Sequence, residues 1–348
     1  MGAALVTGAN GFIGSNLARH LLGRGWDVLG LVLKGTPEDF LDGTAVKIVY
    51  GDILQPASLA SALKEAKAKA TKLDAVFHLA ALAADWGPAQ KFFSLNAQGT
   101  RNMLEASAAA GVRRFVLMSS LAVHRYSGHS RSDETAPLDC PEDFPYGRSK
   151  IMAEKAVHEF HDAGRLEGVI IRPGLFPFGP NDTTSFARLA RVMERGMMAY
   201  VGGGSARLTT AYVENLCGGV ELAAREKRAA GQTYVIADDT PVSWRELFEL
   251  FCRELGIRPP WLSVPYPVAR ISAAAAEQLW TRLKLKGEPP LTRYRAQLMA
   301  GDLVFVSDKA RRELGYKPAV PLDEAVRRTV AWYKTSFGPA GGRALHPD

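Results

Sequence analysis

The run Thr7-Gly8-Ala9-Asn10-Gly11-Phe12-Ile13-Gly14 narrows what this chain can become more than any other stretch. It lies between the apolar residues Ala3–Val6 and a helical pattern at Leu17, Leu21 and Leu22. A buried strand, a turn with three glycines and a helix start together make an anion site. Unpaired amide N–H groups and the positive end of the helix dipole converge there, and a pyrophosphate is the expected ligand. Gly8 permits the tight turn, Gly11 lets the backbone approach the phosphates, and Gly14 is expected to let the helix pack closely on the strand. The spacing is Gly-x-x-Gly-x-x-Gly, not the commoner Gly-x-Gly-x-x-Gly, and a glycine turn alone also has purely structural uses. Its position directly after the first strand favours the binding reading.

Beyond this turn, apolar strands alternate with helical patterns. Strands are expected at 27–33, 46–50, 74–79, 114–118 and 169–172, and helices at 56–70, 89–110 and 146–162. That alternation predicts an α/β fold with a doubly wound parallel sheet. Ligands in such sheets sit at the carboxyl ends of the strands, where Gly8, Ala80 and Ser120 fall. The second strand ends in Leu33-Lys34-Gly35 without an acid for a ribose hydroxyl. Lys34 would instead meet the extra phosphate of NADP, though it also reads as a surface lysine. Asp52 is placed to receive the adenine amino group or to cap the following helix. Small residues at Ala80 and Ala81 leave room for a cofactor, and His78 reads equally as a residue that satisfies local backbone.

Composition sets the wider limits. The 348 residues, 47% of them hydrophobic, can bury a sizeable core. Residues 1–175 read as a dinucleotide-binding Rossmann domain. Residues 176–337 read as mainly a substrate-binding lobe, with some segments returning to the first domain, and 338–348 as a flexible tail. Cys140, Cys217 and Cys252 have neither disulfide nor zinc spacing, so a reducing, cytoplasmic setting is expected. No basic leader precedes an apolar run, and no apolar stretch approaches the roughly 18 residues needed to span a bilayer; a chain neither secreted nor integral is expected. The net charge of +7 and pI near 9.3 suit a phosphate ligand or an anionic membrane surface. No cluster of basic residues is interleaved with stacking aromatics, so nucleic acid is not favoured.

Ser120 at a strand end, Tyr146, and Lys150 four residues after it on one helix face form a hydroxyl, phenol and ammonium set. A phenol with a pKa of about 10 is a poor base near neutrality, and a neighbouring ammonium would stabilise its phenolate. Tyr146 would then move a proton at a carbonyl oxygen while Ser120 holds that oxygen and Lys150 also fixes a ribose.

In this order the motifs resemble the extended short-chain dehydrogenases/reductases. TGANGFIG is similar to that family's phosphate turn, GDIL to its adenine strand end, HLAA to its fourth-strand end, NAQGT to its central helix, MSS to its serine strand and YGRSK to its Tyr-x-x-x-Lys motif. IRPGLFPFGP and TAYVENL resemble its sixth-strand and substrate-lobe segments. PPLTRY and KARRELGYKP are similar to the branch of 3β-hydroxysteroid dehydrogenases, sterol-4-carboxylate dehydrogenases and 2-alkyl-3-ketoalkanoate reductases. The resemblance implies an NAD(P) site built from Gly8, Asn10, Gly11, Phe12, Ile13, Gly14, Lys34, Asp52, Ile53, Leu79, Ala80, Ala81, Tyr146 and Lys150, with Pro173 and Gly174 facing the carboxamide. It makes Ser120, not Ser119, catalytic, because Ser120 stands three before Val123. It also implies a homodimer through helices 89–110 and 146–162.

An oxidoreductase acting on a bulky apolar alcohol or ketone is the leading expectation. A nucleotide-sugar epimerase or dehydratase of the same superfamily is the second, and a non-catalytic cofactor sensor the third. The aromatic and methionine set Phe176, Phe178, Phe186, Met193, Met197, Met198 and Tyr200 suits an apolar substrate, or simply a core. Finally, Val268, Ile271, Ala275, Leu279 and Leu283 recur at helical spacing beside Arg270, Arg282, Lys284 and Lys286. Segment 265–286 is expected either to roof the substrate pocket or to rest on an anionic membrane.

Overall fold

The computed structural model describes residues 2–70 and 72–338. Its central sheet has seven parallel strands, in spatial order Thr233–Ile236, Glu167–Pro173, Arg114–Met118, Leu73–His78, Ala3–Thr7, Asp27–Val32 and Lys47–Tyr50. The chain winds outward from Ala3–Thr7 in one direction, then returns to Leu73–His78 on the other side. That reversal opens a crevice at the carboxyl end of the first strand. The strands are apolar on both faces, with Leu5, Val6, Val76, Phe77, Phe115 and Ile170 fully buried, because helices cover both sides. One core gathers Leu17, Leu21, Phe77 and Val116 and runs on into the second lobe. The other gathers Leu59, Leu63, Met103, Leu104 and Phe160.

The expected helix over 89–110 is not uniform. It consists of Ala89–Phe92, a wider π turn at Phe93–Gln98 and Gly99–Ala109. The wide turn carries Asn96, whose side chain accepts from the Leu82 amide (2.7 Å) and donates to the Leu82 carbonyl (3.0 Å) and to Ser149 Oγ (3.0 Å). Three bonds to two other segments recover what the interrupted helical ladder loses.

The second lobe is interleaved with the first. Thr233–Ile236 is the seventh strand of the main sheet, with Thr233 opposite Ile170. His129–Ser132, inside what the sequence pattern offers only as a loop, pairs with Leu303–Phe305 in a four-stranded sheet. Helix Trp244–Leu255 begins with a Ser243/Glu246 capping box and ends at left-handed Gly256. It buries Leu247, Phe248 and Phe251. Phe251 meets Phe178 and Phe186 at centroid distances of 5.6 and 4.7 Å. Phe178, Phe186, Met193 and Tyr200 are therefore part of the core, while Met197 is exposed. Helix Tyr266–Leu283 forms as expected: Ala269 and Ala273 are buried, Val268, Ile271, Leu279 and Leu283 are exposed, and Glu277, Gln278, Thr281 and Arg282 line a recess with Trp86 and Arg293. The tail expected over 338–348 lies, from 339 onward, outside the described residues.

Candidate active site

The glycine turn has the geometry of an anion cradle. Gly8 has φ +64°, its carbonyl accepts from the Gly11 amide at 3.0 Å, and helix Phe12–Gly23 follows with no side-chain cap and no acid in its first turn. The amides of Phe12, Ile13 and Gly14 have no partner among the described residues, which leaves the donors a pyrophosphate requires. A Cβ at Gly14 would lie 2.0 Å from the Gly8 carbonyl oxygen. This glycine therefore serves contact between helix and turn, not the closeness of helix and strand that the sequence suggests.

Neighbouring strand ends are tied to this turn. Asn10 Nδ2 donates to Thr36 Oγ1 (2.9 Å) and the Pro37 carbonyl (2.8 Å), clamping the loop that bears Lys34 against the turn. Lys34 itself is exposed and makes no ion pair or side-chain hydrogen bond among the described residues. Asp52 Oδ1 accepts from the Leu54 amide at 2.8 Å, and the next helix has Gln55 at its N-cap position with no side-chain cap bond, so Asp52 shapes its own turn and does not cap the helix. The Ile53 carbonyl accepts from Asn102 Nδ2 at 2.9 Å. Thr7 Oγ1 accepts from the amides of Leu79 (3.1 Å) and Ala80 (3.0 Å), which brings Leu79-Ala80-Ala81 to the turn. Having accepted, Thr7 donates to His78 Nδ1 (2.9 Å); His78 Nε2 donates to Thr100 Oγ1 (3.1 Å), which donates to the Asn96 carbonyl (2.6 Å). Burial, with the nearby Lys150 charge, pushes the His78 pKa down to about 3. His78 is thus a neutral structural link.

Tyr146 begins helix Pro145–Asp162, with Pro145 at its first position. Its ring is half-buried between Phe92 and Phe144, at centroid distances of 6.3 and 6.0 Å. Burial raises its pKa and a hydrogen bond with Ser120 opposes the rise. Burial thus favours the neutral phenol at Tyr146. Ser120 Oγ is fixed by accepting from the Ala122 amide at 3.1 Å. Lys150 is buried, donates to the Met118 carbonyl at 2.9 Å, and has its pKa lowered by burial to about 8 although the Glu154 charge raises it. Two of its N–H bonds remain for a ribose. Lys150 carries its charge below about pH 8, so kcat/KM for the dinucleotide, which reports free-enzyme ionisations, should fall above that pH. A profile flat to pH 10 would remove this role.

Behind the site lies a buried ion pair that the sequence reading missed. Arg172 Nη2 and Nε donate to Glu154 at 2.7 and 3.0 Å, and Ser119 Oγ donates to the same carboxylate at 2.5 Å. Adjacent serines are thereby divided: Ser119 holds the sheet to the helix, and Ser120 lies outside this cluster. The available signals were Glu154 standing four after Lys150 and an arginine closing an otherwise apolar strand.

The wall around Tyr146 also includes Tyr294, stacked on Phe144 at 4.1 Å and hydrogen bonded to the Tyr126 hydroxyl at 2.5 Å. Thr292 and Arg295 bind Asp85 at 2.5 and 2.8 Å and hold this segment in place. Gly174 donates its amide to the Ile236 carbonyl (2.8 Å), and a Cβ there would lie 2.3 Å from the Thr210 carbonyl oxygen. Pro173 and Gly174 thus end the sixth strand in a buried, closely packed turn.

The cradle, the small strand ends and the Ser120, Tyr146 and Lys150 set fit a nicotinamide dinucleotide. The family model described as "NAD dependent epimerase/dehydratase family" matches residues 4–237. A 2-alkyl-3-oxoalkanoate reductase of Stenotrophomonas maltophilia is 34% identical, with 94% of this chain and 98% of that protein covered. A 3 beta-hydroxysteroid dehydrogenase/Delta 5-->4-isomerase of Mycobacterium tuberculosis is 30% identical, covering 97% and 92%. The crystal structure of a UDP-glucuronic acid 4-epimerase from Bacillus cereus, in complex with UDP-glucuronic acid and NAD, superposes with a TM-score of 0.74 over 96% of this chain and 100% of that one. At 22% identity that likeness speaks to fold alone. The chain is therefore an enzyme of the NAD dependent epimerase/dehydratase family, of the extended short-chain dehydrogenase/reductase type, with the Rossmann fold of that family and relatives that are reductases and hydroxysteroid dehydrogenases.

Proposed function

We propose that this protein interconverts a secondary alcohol and a ketone on a bulky apolar substrate, of 2-alkyl-3-ketoacid, 3β-hydroxysteroid or sterol-4-carboxylate type. The carrying observation is Tyr146 beside Ser120, with Lys150 on the same helix, inside an aromatic wall of Phe92, Phe144, Tyr126 and Tyr294. When bound, the dinucleotide supplies or accepts the hydride. Ser120 holds the substrate oxygen, Tyr146 gives it a proton in reduction and removes one in oxidation, and Lys150 secures the nicotinamide ribose. The names of the relatives support the substrate class.

A nucleotide-sugar epimerase needs free cations for a diphosphate. Here Arg295 is taken up by Asp85 and Glu288, and Arg188 pairs with Glu288, which favours the apolar reading. NADP is the proposed preference, through the exposed Lys34. Turnover assays with 3-ketoacids, hydroxysteroids and UDP-sugars, each with both cofactors, test the proposal. Oxidoreduction of an apolar substrate with higher kcat/KM for NADPH is expected. Activity on UDP-sugars alone would overturn the substrate class, and a preference for NADH would overturn the role of Lys34.

The protein is further proposed to be a cytoplasmic homodimer. Its three cysteines are free and buried, which supports a reducing compartment. The two helices that would pair carry Met152, half-exposed, amid the ion pairs Arg101–Glu159 and Arg165–Glu105. A dimer mass by light scattering at micromolar concentration is expected; a monomer would refute it.

A further inference from the structure

We propose that the face formed by helix Tyr266–Leu283 with the flanking residues Trp261, Leu262 and Lys284–Lys286 docks on an anionic lipid surface. The helix packs on the protein through its small residues Ala269 and Ala273. That leaves Val268 (50% exposed), Ile271 (71%), the exposed Ala275, Leu279 (49%) and Leu283 (61%) as an outward stripe at intervals of three and four. Trp261, 89% exposed, and Leu262 extend the apolar surface beyond one end, and Leu285 beyond the other.

Charge identifies the occupant. Arg258, Arg270, Arg282, Lys284 and Lys286 make no ion pair or side-chain hydrogen bond among the described residues. Glu277, the single acid of the helix, is held by Arg293, and Glu288 by Arg188 and Arg295. Arginines elsewhere, such as Arg101, Arg165 and Arg327, are paired. An apolar stripe accompanied by these unpaired cations fits lipid phosphates, with the stripe among acyl chains and the basic heads at the phosphate level. A second copy of the same face would oppose these cations to themselves. None of the described helices is long and apolar enough to cross a bilayer, so this helix would lie along the surface.

Position gives the contact a use. Thr281, Arg282, Trp86 and Arg293 border a recess beside the helix, and Arg293 precedes Tyr294 of the aromatic wall. A substrate dissolved in lipid would thus meet the enzyme on the side of its proposed site. The route rests on the proposed function; the docking does not.

The test is co-sedimentation of the full chain with vesicles of phosphatidylcholine and phosphatidylglycerol, and with phosphatidylcholine alone. Binding to the anionic vesicles at low salt, lost at high salt and absent from neutral vesicles, is expected. Each basic residue near an anionic surface contributes about fivefold, so Arg282→Gln/Lys284→Gln/Lys286→Gln should weaken binding about a hundredfold. Ile271→Ser/Leu279→Ser/Leu283→Ser should weaken it at least about tenfold. Because all these side chains are exposed, dinucleotide binding and thermal midpoint should stay unchanged; if the apolar variant fails to fold, the charge variant carries the test alone. No binding by the parent, equal binding to neutral vesicles, or full binding by the charge variant overturns the proposal. So does a parent that self-associates through these residues in the absence of lipid. Vesicle binding is read without turnover, so its failure is distinct from a failure of the proposed reaction.

Discussion

Tyr146→Phe is expected to lower kcat by about 10²–10⁴ while changing dinucleotide affinity less than about twofold. The substitution keeps the ring between Phe92 and Phe144 and removes only the hydroxyl that bonds Ser120. Packing and the glycine cradle are untouched, so the loss should fall on kcat. Single-turnover rates with dinucleotide titrations by fluorescence separate the two. Residual turnover within about tenfold of the parent would mean that another group supplies the proton, and the site would have to be reassigned.

Glu154→Ala should destabilise the fold by about 3–5 kcal/mol, because it strands the Arg172 guanidinium in a buried position. Ser119 also loses its acceptor. The physical signature is asymmetry between single and double changes. Glu154→Met/Arg172→Met removes both charges, leaves no buried ion unpaired, and should recover most of the loss. Denaturant midpoints of the parent and these two variants decide the matter. A double variant no better than Glu154→Ala would show that packing, not the unpaired charge, sets the cost. Since the Glu154 charge also raises the pKa of Lys150, Glu154→Gln should move the alkaline fall in kcat/KM for the dinucleotide to lower pH. That shift distinguishes a positioning role beside the site from a merely structural one.

Much of this architecture is local information. Continuous apolar runs such as Val28–Val32 can only be strands covered on both faces, and the turn at Gly8–Gly14 states its conformation in its glycines. Ser120, Tyr146 and Lys150 were legible because strand ends and helical spacing bring them together. What stayed hidden depends on distant partners. His129–Ser132 becomes a strand only because Leu303–Phe305, far along the chain, lies beside it. The wide turn at Phe93–Gln98 is held by bonds from Asn96 to Leu82 and Ser149, which no helical periodicity reports. Phe178 and Phe186 have the composition of a substrate pocket; only contact with Phe251 makes them core. The 265–286 helix shows the converse. Its apolar period was plain, but periodicity says which residues share a face and not what covers that face.

The central claim, a net oxidoreductase working through Tyr146, is tested most directly by following deuterium from reduced dinucleotide labelled at its hydride-donating carbon. With an apolar 3-keto substrate, one deuterium should appear on the new carbinol carbon for each cofactor oxidised, and Tyr146→Phe should slow the transfer by about 10²–10⁴. Epimerised UDP-sugar formed with no net cofactor oxidation, and no deuterium in any apolar product, would contradict the account.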